Sequence, residues 1–299
     1  MKQADVLIVG GGPAGTACAW KLRQQNVKVL ILDKVSFPRT KLCAGWITPR
    51  VFELLETTPE TYSFGITQFS AFQISIKKIH FTMPVHQYAI RRYEFDQWLL
   101  QRSGAAFRQH QVKEIQRKEN QFIIDQTYSA PILIGAGGTF CPVRRTFFPN
   151  NKQRPGPHIV TLEEEFEYPF TDQRCHLWFF ENKLPGYAWY VPKAGGWVNV
   201  GVGGNADNLQ TQGKTIRDYW IVLTQKIEQM GLVRNRKFSP RGHSYYLRHL
   251  SQKITQKNIY LIGDSAGLAT RDMGEGIGPA IESGIRAGNA IIGKSNYSV

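Results

Sequence analysis

The chain has 299 residues, of which 42% are hydrophobic and 20% charged, and it carries 37 Lys and Arg against 23 Asp and Glu. This composition is typical of a folded globular protein and excludes the disordered, collagen-like and disulfide-scaffold classes. The formal charge of +14 suits a surface that meets phosphates, an anionic membrane or an acidic partner, and it equally suits a solvated surface. The densest basic stretch, residues 230–258, contains no acidic residue.

The cysteines and the apolar runs indicate the compartment. Cys18, Cys43, Cys141 and Cys175 are far apart and lack metal-ligand spacing, which indicates a reducing compartment and argues against zinc or iron–sulfur. No segment approaches the roughly 18 uninterrupted apolar residues that a membrane-spanning helix requires. We therefore expect a cytoplasmic protein without a metal, with peripheral contact to an anionic membrane as an open alternative.

The N-terminal part has a strand, turn, helix, strand pattern. An apolar run over 5–10 predicts a strand, helical spacing over 14–22 predicts a helix, and a second apolar run over 27–32 ends at Asp33. Such a unit implies a parallel sheet. Thr48 followed by Pro49 predicts the cap and first turn of another helix, and Glu94 opens a third.

The rest of the chain changes character. Short β-rich runs between about 158 and 203 predict an antiparallel sheet, with a turn at 193–196. An amphipathic helix over 216–227 follows and stops at Gly231. A buried strand over 259–262 and a closing helix over 277–291 complete the chain.

Three glycine-rich segments carry the chemistry. Gly10 to Gly15 fits the G-x-G-x-x-G pattern between a predicted strand and helix, where glycines allow the backbone to approach a pyrophosphate at a helix N-terminus. Asp33, at the end of the next strand, would accept hydrogen bonds from ribose hydroxyls and repel a 2′-phosphate, which favours FAD or NAD. Gly263-Asp264 would meet a ribityl chain, and the helix after Gly274-Glu275-Gly276 would face the pyrimidine edge of a flavin.

These segments, together with Arg39-x-Lys41-x-Cys43-Ala44-Gly45 and Arg92-x-x-Phe95-Asp96, resemble the geranylgeranyl reductase family of FAD-dependent oxidoreductases. That family belongs to the p-hydroxybenzoate-hydroxylase-like flavoproteins. The resemblance runs over essentially the whole chain. It implies an α/β fold, in which a Rossmann-like FAD-binding domain holds an inserted antiparallel β-sheet substrate layer. The FAD-binding domain would comprise 1–75, 85–150 and 255–299, and the substrate layer 76–84 and 151–254.

The resemblance also implies a set of site residues. FAD would be bound by residues from seven segments of the chain: Gly10, Gly12, Pro13, Ala14, Gly15, Asp33, Lys34, Lys41, Ala44, Gly45, Arg92, Val112, Gly263, Asp264, Gly274, Gly276 and Ile277. The candidate catalytic residues are Cys43, which the family places near the flavin ring, and Tyr187 and Trp189 of the substrate-pocket motif. Each of these three has a structural alternative, as a buried thiol or as core of the antiparallel sheet. The seven histidines show no paired spacing and are expected to be structural or exposed.

The sequence departs from the family pattern at three places. Val191 stands where the pocket motif usually has Phe, which suggests a roomier pocket. Gly137 stands where many superfamily members have Asp, which puts a hydroxylase-like NADPH cycle in doubt. Many members also continue with a further helical segment after the closing helix, so we expect a more open pocket, a smaller substrate or a partner that supplies the lid.

These observations predict an FAD-dependent oxidoreductase that saturates or oxidises carbon–carbon bonds of an isoprenoid or lipid-like apolar substrate. Its electron donor would be NAD(P)H or a reduced carrier. One alternative is a flavin-dependent monooxygenase or halogenase-like enzyme acting on an aromatic compound. Another is an FAD-containing binding protein for anionic lipid or nucleic acid, of which nucleic acid is the less favoured partner.

Overall fold

The structure, a computed structural model, describes residues 1–149, 156–249, 253–293 and 295–298. The helices of these segments are α1 (Pro13–Arg23), α2 (Pro49–Leu54), α3 (Arg92–Ser103), α4 (Pro142–Phe147), α5 (Ala206–Thr211), α6 (Ile216–Gln229) and α7 (Ile277–Ile291). The strands are β1 (Lys2–Gln3), β2 (Val6–Val9), β3 (Val29–Asp33), β4 (Trp46–Ile47), β5 (Thr67–Ile76), β6 (Ile79–Ala89), β7 (Ala106–Gln109), β8 (Ile115–Lys118), β9 (Gln121–Ile124), β10 (Tyr128–Ala130), β11 (Ile132–Gly135), β12 (His158–Glu167), β13 (Cys175–Phe179), β14 (Gly186–Lys193), β15 (Trp197–Asn205), β16 (Arg241–Tyr246), β17 (Thr255–Gln256) and β18 (Ile259–Leu261).

A six-stranded sheet carries the dinucleotide-type motifs, in the strand order β17-β18-β11-β2-β3-β7. All its pairs are parallel except that of β17 with β18. The four residues of β2 are apolar and buried because packed layers cover both faces of the sheet. The predicted strand, helix, strand unit is confirmed by β2, α1 and β3.

The two ends of the chain meet in this domain. Helix α7 packs along α1, and a Cβ on Gly284 would collide with the carbonyl oxygen of Ala14. Only a glycine allows the two backbones to approach so closely at this point. The loop after β2 and the N-terminus of α7 are therefore held in a fixed relation to each other.

An eight-stranded sheet forms the second layer, in the order β16-β12-β15-β14-β13-β5-β6-β4. The predicted antiparallel arrangement is confirmed except for β13 and β5, which pair in parallel. Helix α6 packs on one face of the sheet against Leu162, Phe166, Val198, Val200 and Val202. The opposite face of the sheet meets the dinucleotide-type domain.

The predicted domain boundaries differ from the strand pairing in two segments, and one is β4, which was assigned to 1–75 but pairs with β6 in the eight-stranded sheet. Strands β5 and β6 lie entirely in the eight-stranded sheet, whereas the sequence assigned only 76–84 of that region to it. The reason is that β5 and β6 have no turn signal between them except Lys77, which adopts a positive φ of 57° without being glycine. The boundary predicted between 150 and 151 lies outside the described residues, and the division into two domains stays a prediction.

A third sheet, β1-β10-β9-β8, has four short strands that the sequence did not reveal. None of the helices in the described segments combines the length and apolar character needed to cross a membrane.

Candidate functional site

The glycine-rich loop lies between β2 and α1, as its pattern predicts. A Cβ on Gly10 would collide with the backbone of Ala136, and one on Gly15 would collide with the carbonyl oxygen of Gly10. Pro13 is the first residue of α1, so its missing N–H costs no helical hydrogen bond, and Ala14 is buried behind it. A Cβ on Gly12 would have only Arg39 Nη2 nearby, at 3.4 Å, which leaves the helix N-terminus approachable by an anion.

Asp33 ends β3 beside this loop. Its Oδ2 accepts a hydrogen bond from the backbone N–H of Gly11 at 2.8 Å, and its Oδ1 accepts one from Val35 at 3.2 Å. Each carboxylate oxygen keeps lone pairs for a further donor such as a ribose hydroxyl. Asp33 is thus fixed in place by the loop that it accompanies.

Two further predicted contacts lie at the same edge of the sheet. Lys34 follows Asp33 and is exposed, while Val112 is half-buried in the loop after β7. The backbone N–H of His110 donates to the carbonyl oxygen of Asp33 at 2.6 Å. This bond brings the loop that contains Val112 to the end of β3.

Asp96 forms ion pairs with two arginines of the site, Arg92 and Arg39. Arg92 donates to it through Nε at 2.6 Å and Nη2 at 2.8 Å, and Arg39 Nη2 lies 3.1 Å from Asp96 Oδ2. Asp96 is fully buried, and Arg39 retains a buried Nε without a hydrogen-bond partner among the described residues. Arg39, which so far appeared only as part of a motif, therefore places its positively charged Nη2 beside Gly12 and keeps one unpaired donor, Nε, in the interior.

The second end of the site comes from the C-terminal part of the chain. Gly263 and Asp264 follow β18 after one residue, Ile262, and Gly276 caps α7, whose first residue is the buried Ile277. A Cβ on Gly276 would lie 3.6 Å from Asp264 Oδ1, so the carboxylate sits beside the helix N-terminus. Gly274, with a φ of 66°, leaves room for the Tyr245 hydroxyl.

The segment around Cys43 connects the two layers. The backbone N–H of Gly45 donates to Cys43 Sγ at 3.3 Å, and Gly45, with a φ of 81°, lies against the carbonyl oxygen of Ile90. Ala44 and Trp46 pack on the apolar face of the eight-stranded sheet. The backbone around the half-buried Cys43 is thus fixed between the two layers.

Lys41 is bonded to His243, one of the histidines expected to be structural or exposed. Its Nζ donates to His243 Nε2 at 2.7 Å. Burial lowers the pKa of Lys41, and the negative charge of Asp264 opposes that shift. Burial, together with the Lys41 ammonium, lowers the pKa of His243 to about 3, so His243 is neutral and can accept this bond.

Tyr187 and Trp189 lie on the sheet face opposite α6, with Trp46 over them. Ring centroids are 6.4 Å apart for Trp46 and Tyr187, and 5.6 Å for Tyr187 and Trp189. The Tyr187 hydroxyl donates to the carbonyl oxygen of Met273 at 2.6 Å, and burial raises the pKa of Tyr187. This aromatic cluster gives the face that meets Cys43 an apolar surface.

A buried polar chain supports Trp189. Its Nε1 donates to Asn199 Oδ1 at 2.7 Å, and Asn199 Nδ2 donates to Glu163 Oε2 at 3.3 Å. Burial raises the pKa of Glu163 to about 7, while the bond from Asn199 opposes the shift. A Cβ on Gly201 would collide with the Trp189 ring, so this glycine lets the indole lie flat across β15.

An ion pair links the Cys43 segment to the sheet. Lys193 Nζ lies 2.6 Å from Glu165 Oε2 and donates to the carbonyl oxygen of Cys43 at 3.4 Å. Arg91, which stacks on Trp197, holds the other carboxylate oxygen of Glu165 at 3.1 Å. The side chain of Lys193 is only 1% exposed, so this cation is part of the interior.

The residues missed by the sequence analysis are Arg39, His243, Glu163, Asn199 and Lys193. Four of them are polar groups on strands, with no local motif to mark them, whereas Arg39 belongs to the motif quoted above but had no role assigned to it. The one available signal was alternation: residues 163, 165, 199, 241 and 243 share the face that carries Trp189 through the strand register.

The chain is similar to several known proteins. A family model described as pyridine nucleotide-disulphide oxidoreductase matches residues 7–175. An uncharacterized protein of Methanosarcina barkeri is 31% identical over 97% of this chain and 75% of its own length. A geranylgeranyl diphosphate reductase of Rhodobacter capsulatus is 26% identical over 91% of this chain and 71% of its own.

A solved structure supports the fold. The geranylgeranyl bacteriochlorophyll reductase-like protein of Thermoplasma acidophilum superposes with a TM-score of 0.80 and 19% identity, covering 100% of this chain and 81% of the other. This agreement confirms the predicted fold class. The chain belongs to the pyridine nucleotide-disulphide oxidoreductase family and, among the flavin-dependent oxidoreductases, to the geranylgeranyl reductase family.

Proposed function

We propose that the protein is an FAD-dependent reductase that saturates carbon–carbon double bonds of an isoprenoid or lipid-like substrate. The observation that carries the proposal is the aromatic and aliphatic face formed by Trp46, Tyr187 and Trp189 directly against the Cys43 segment. An isoprenoid needs apolar groups, which this aromatic cluster offers, and the polar residues Glu163 and Asn199 on the same sheet face are buried and hydrogen-bonded to each other. The name of the Rhodobacter capsulatus relative points the same way.

The residues present suit the adenosine and pyrophosphate parts of FAD. Asp33 would accept from the ribose, and the N-terminus of α1 would face the pyrophosphate. The Arg39 guanidinium, whose Nη2 lies beside Gly12 and pairs with Asp96, supplies a positive charge near the pyrophosphate position. Arg92 would hold the cofactor less directly, because Asp96 already occupies two of its donors.

The flavin end would be bound by Ala44 and Gly45, by Asp264, and by the N-terminus of α7 at Gly276. When bound, FAD supplies hydride transfer, and the protein supplies orientation, exclusion of water and a proton. The Tyr187 hydroxyl is held by Met273, and burial raises the pKa of Tyr187, so its proton is poorly available. We therefore assign proton donation to the Cys43 thiol, which solvent would reprotonate. NAD(P)H or a reduced carrier would supply the electrons.

A flavin titration tests the cofactor part of the proposal. The purified protein should carry or take up FAD, seen as flavin absorption that remains with the protein after gel filtration. Failure to take up added FAD would contradict the proposal. Rapid NADPH oxidation stimulated by an aromatic compound, without reduction of a polyprenyl lipid, would instead favour a monooxygenase.

A further inference from the structure

The strand pair β5 and β6 extends the apolar face of the eight-stranded sheet to the protein surface. In the strand register Trp189 is opposite Leu177, Leu177 is opposite Ile74, and Ile74 is opposite Phe81. The neighbouring row runs through Tyr187, Phe179, Ile76 and Ile79. At the usual spacing of strands, Phe81 is about 14 Å from Trp189 across the sheet.

The far end of these rows is exposed to solvent. Ile79, Phe81 and Met83 alternate along β6, share one face, and are 66%, 43% and 38% exposed. The opposite face of the same strand is polar, with His80 hydrogen-bonded to Ser75 and Thr82 to Gln73. The hairpin is therefore amphipathic, and its apolar side continues the face that leads to Cys43.

The charge of the hairpin selects the kind of partner. Lys77 and Lys78 form its exposed turn, next to Ile79, and no Asp or Glu occurs between residues 67 and 93. Lysines flanking exposed apolar side chains suit the boundary between anionic head groups and acyl chains. A partner that adds a strand to this edge is disfavoured, because Pro84 lies within β6 and offers no backbone N–H.

We propose that the β5–β6 hairpin docks on an anionic lipid bilayer. Ile79, Phe81 and Met83 would enter the interface, with Lys77 and Lys78 on the head-group phosphates. Docking would then place the bilayer surface at the outer end of the two apolar rows that lead to Trp189. A role in substrate delivery rests on the proposed function, whereas the docking itself does not.

Vesicle co-sedimentation of the full chain tests the docking. We expect binding to phosphatidylcholine vesicles that contain phosphatidylglycerol, and weaker binding to pure phosphatidylcholine. Replacing Ile79 and Phe81 together with Ser, or Lys77 and Lys78 with Gln, should each weaken partitioning by about tenfold or more. Ile221→Ser on α6, where the side chain is 55% exposed, and Lys118→Gln on β8 are matched controls that should leave partitioning unchanged.

Three results would overturn the proposal. The unaltered protein does not bind vesicles, or the hairpin variants bind vesicles as well as the unaltered protein does. In the third, the protein binds no vesicles but forms a dimer in solution, and replacing Ile79 and Phe81 dissociates that dimer. Circular dichroism and thermal unfolding establish that the variants are folded. A water-soluble short isoprenoid separates the two proposals: vesicle binding without any reduction contradicts the proposed function alone, and reduction without vesicle binding contradicts the docking alone.

Discussion

Glu163 is a carboxyl group that the fold holds in the interior beside Asn199 and under Trp189. It is 3% exposed, and burial raises its pKa from 4.5 to about 7. Between about pH 4.5 and 7, Glu163 therefore keeps its proton in the folded chain, whereas it has lost that proton in the unfolded chain. Stability contributed by protonated Glu163 is complete below about pH 4.5 and is lost as the pH rises through about 7.

We expect Glu163→Gln to remove this pH dependence. Relative to the variant, the unaltered protein should lose roughly 2–3 kcal/mol of unfolding free energy between about pH 4.5 and a pH above 7. Urea unfolding of both proteins at the two pH values measures the difference, and the other titrating groups cancel in it. A difference that is constant with pH would show that Glu163 is ionised throughout.

The two candidate proton donors differ in how they are held. Because the Tyr187 hydroxyl donates to Met273, Tyr187→Phe should lower single-turnover reduction by less than about threefold, whereas Cys43→Ala should lower it by about 100-fold, the lower end of the range for general acids. Flavin absorption checks that both variants retain the cofactor. Loss of the same size in both variants would show that Tyr187 takes part in proton transfer.

Asp264 is the carboxylate next to the N-terminus of α7. We expect Asp264→Ala to weaken FAD binding by about tenfold or more, because a hydrogen-bond acceptor for the ribityl hydroxyls is lost. Asp5→Asn changes a carboxylate at the opposite edge of the same sheet and serves as the control. The dissociation constants follow from flavin fluorescence, and equal values for the two variants would remove Asp264 from the site.

At the scale of elements, β15 shows how a strand prepares the site. Gly201 faces Trp189 and Gly204 faces the other side, where a Cβ would lie 3.4 Å from Leu184 and 3.5 Å from Leu209. The two glycines thus belong to the same strand but differ in the space around them. The Trp189 indole, bonded to Asn199, depends on the space at Gly201.

We expect Gly201→Ala to destabilise the protein by about 1–3 kcal/mol, since the new methyl group displaces the Trp189 ring. Gly204→Ala should change stability by less than about 1 kcal/mol, because its Cβ meets ordinary contacts. Denaturant unfolding and the quenching of tryptophan fluorescence report the two effects. Equal destabilisation by both substitutions would show that the position of the Trp189 ring does not depend on Gly201.

The elements differ in how far the sequence predicted them. Helices α1, α2, α3, α6 and α7 and strands β2, β3, β12, β13, β14, β15 and β18 follow local patterns of apolar spacing and turn residues, and they are confirmed. Thr48 precedes α2 as predicted, although its side chain makes no capping hydrogen bond. Strands β5, β6 and β16 escaped prediction because polar residues alternate on faces that only the complete sheet defines.

The candidate site shows the same limit. Glycine-rich turns and Asp33 are recognisable because backbone geometry restricts the residue types at these positions. His243, the partner of Lys41, and Asn199, the partner of Trp189, lie on strands more than nine residues away in the sequence. No local pattern identifies these partners, because strand pairing brings them into the site. Arg39 is recognisable only once its distance to Gly12 and its shared carboxylate Asp96 are known.

At the scale of the whole molecule, the fold joins the two ends of the chain on one side and places an apolar sheet face opposite them. The structure also explains part of the net charge of +14. Arg236 of the basic stretch pairs with Glu164 at 2.6 Å and stacks on Phe166, so part of that stretch stabilises the sheet. Lys77 and Lys78 on the hairpin are exposed, so part of the positive charge lies next to exposed apolar residues.

The central claim is that this protein, with FAD bound, reduces the double bonds of an isoprenoid lipid. The most direct measurement is made under anaerobic conditions. The bound flavin is reduced, a geranylgeranyl lipid is added, and the molecular mass of the product lipid is measured by mass spectrometry. We predict that the flavin absorption returns and that the lipid gains two hydrogens for each double bond reduced. Return of the absorption without a change in the mass of the lipid, or a flavin that stays reduced, would contradict the claim.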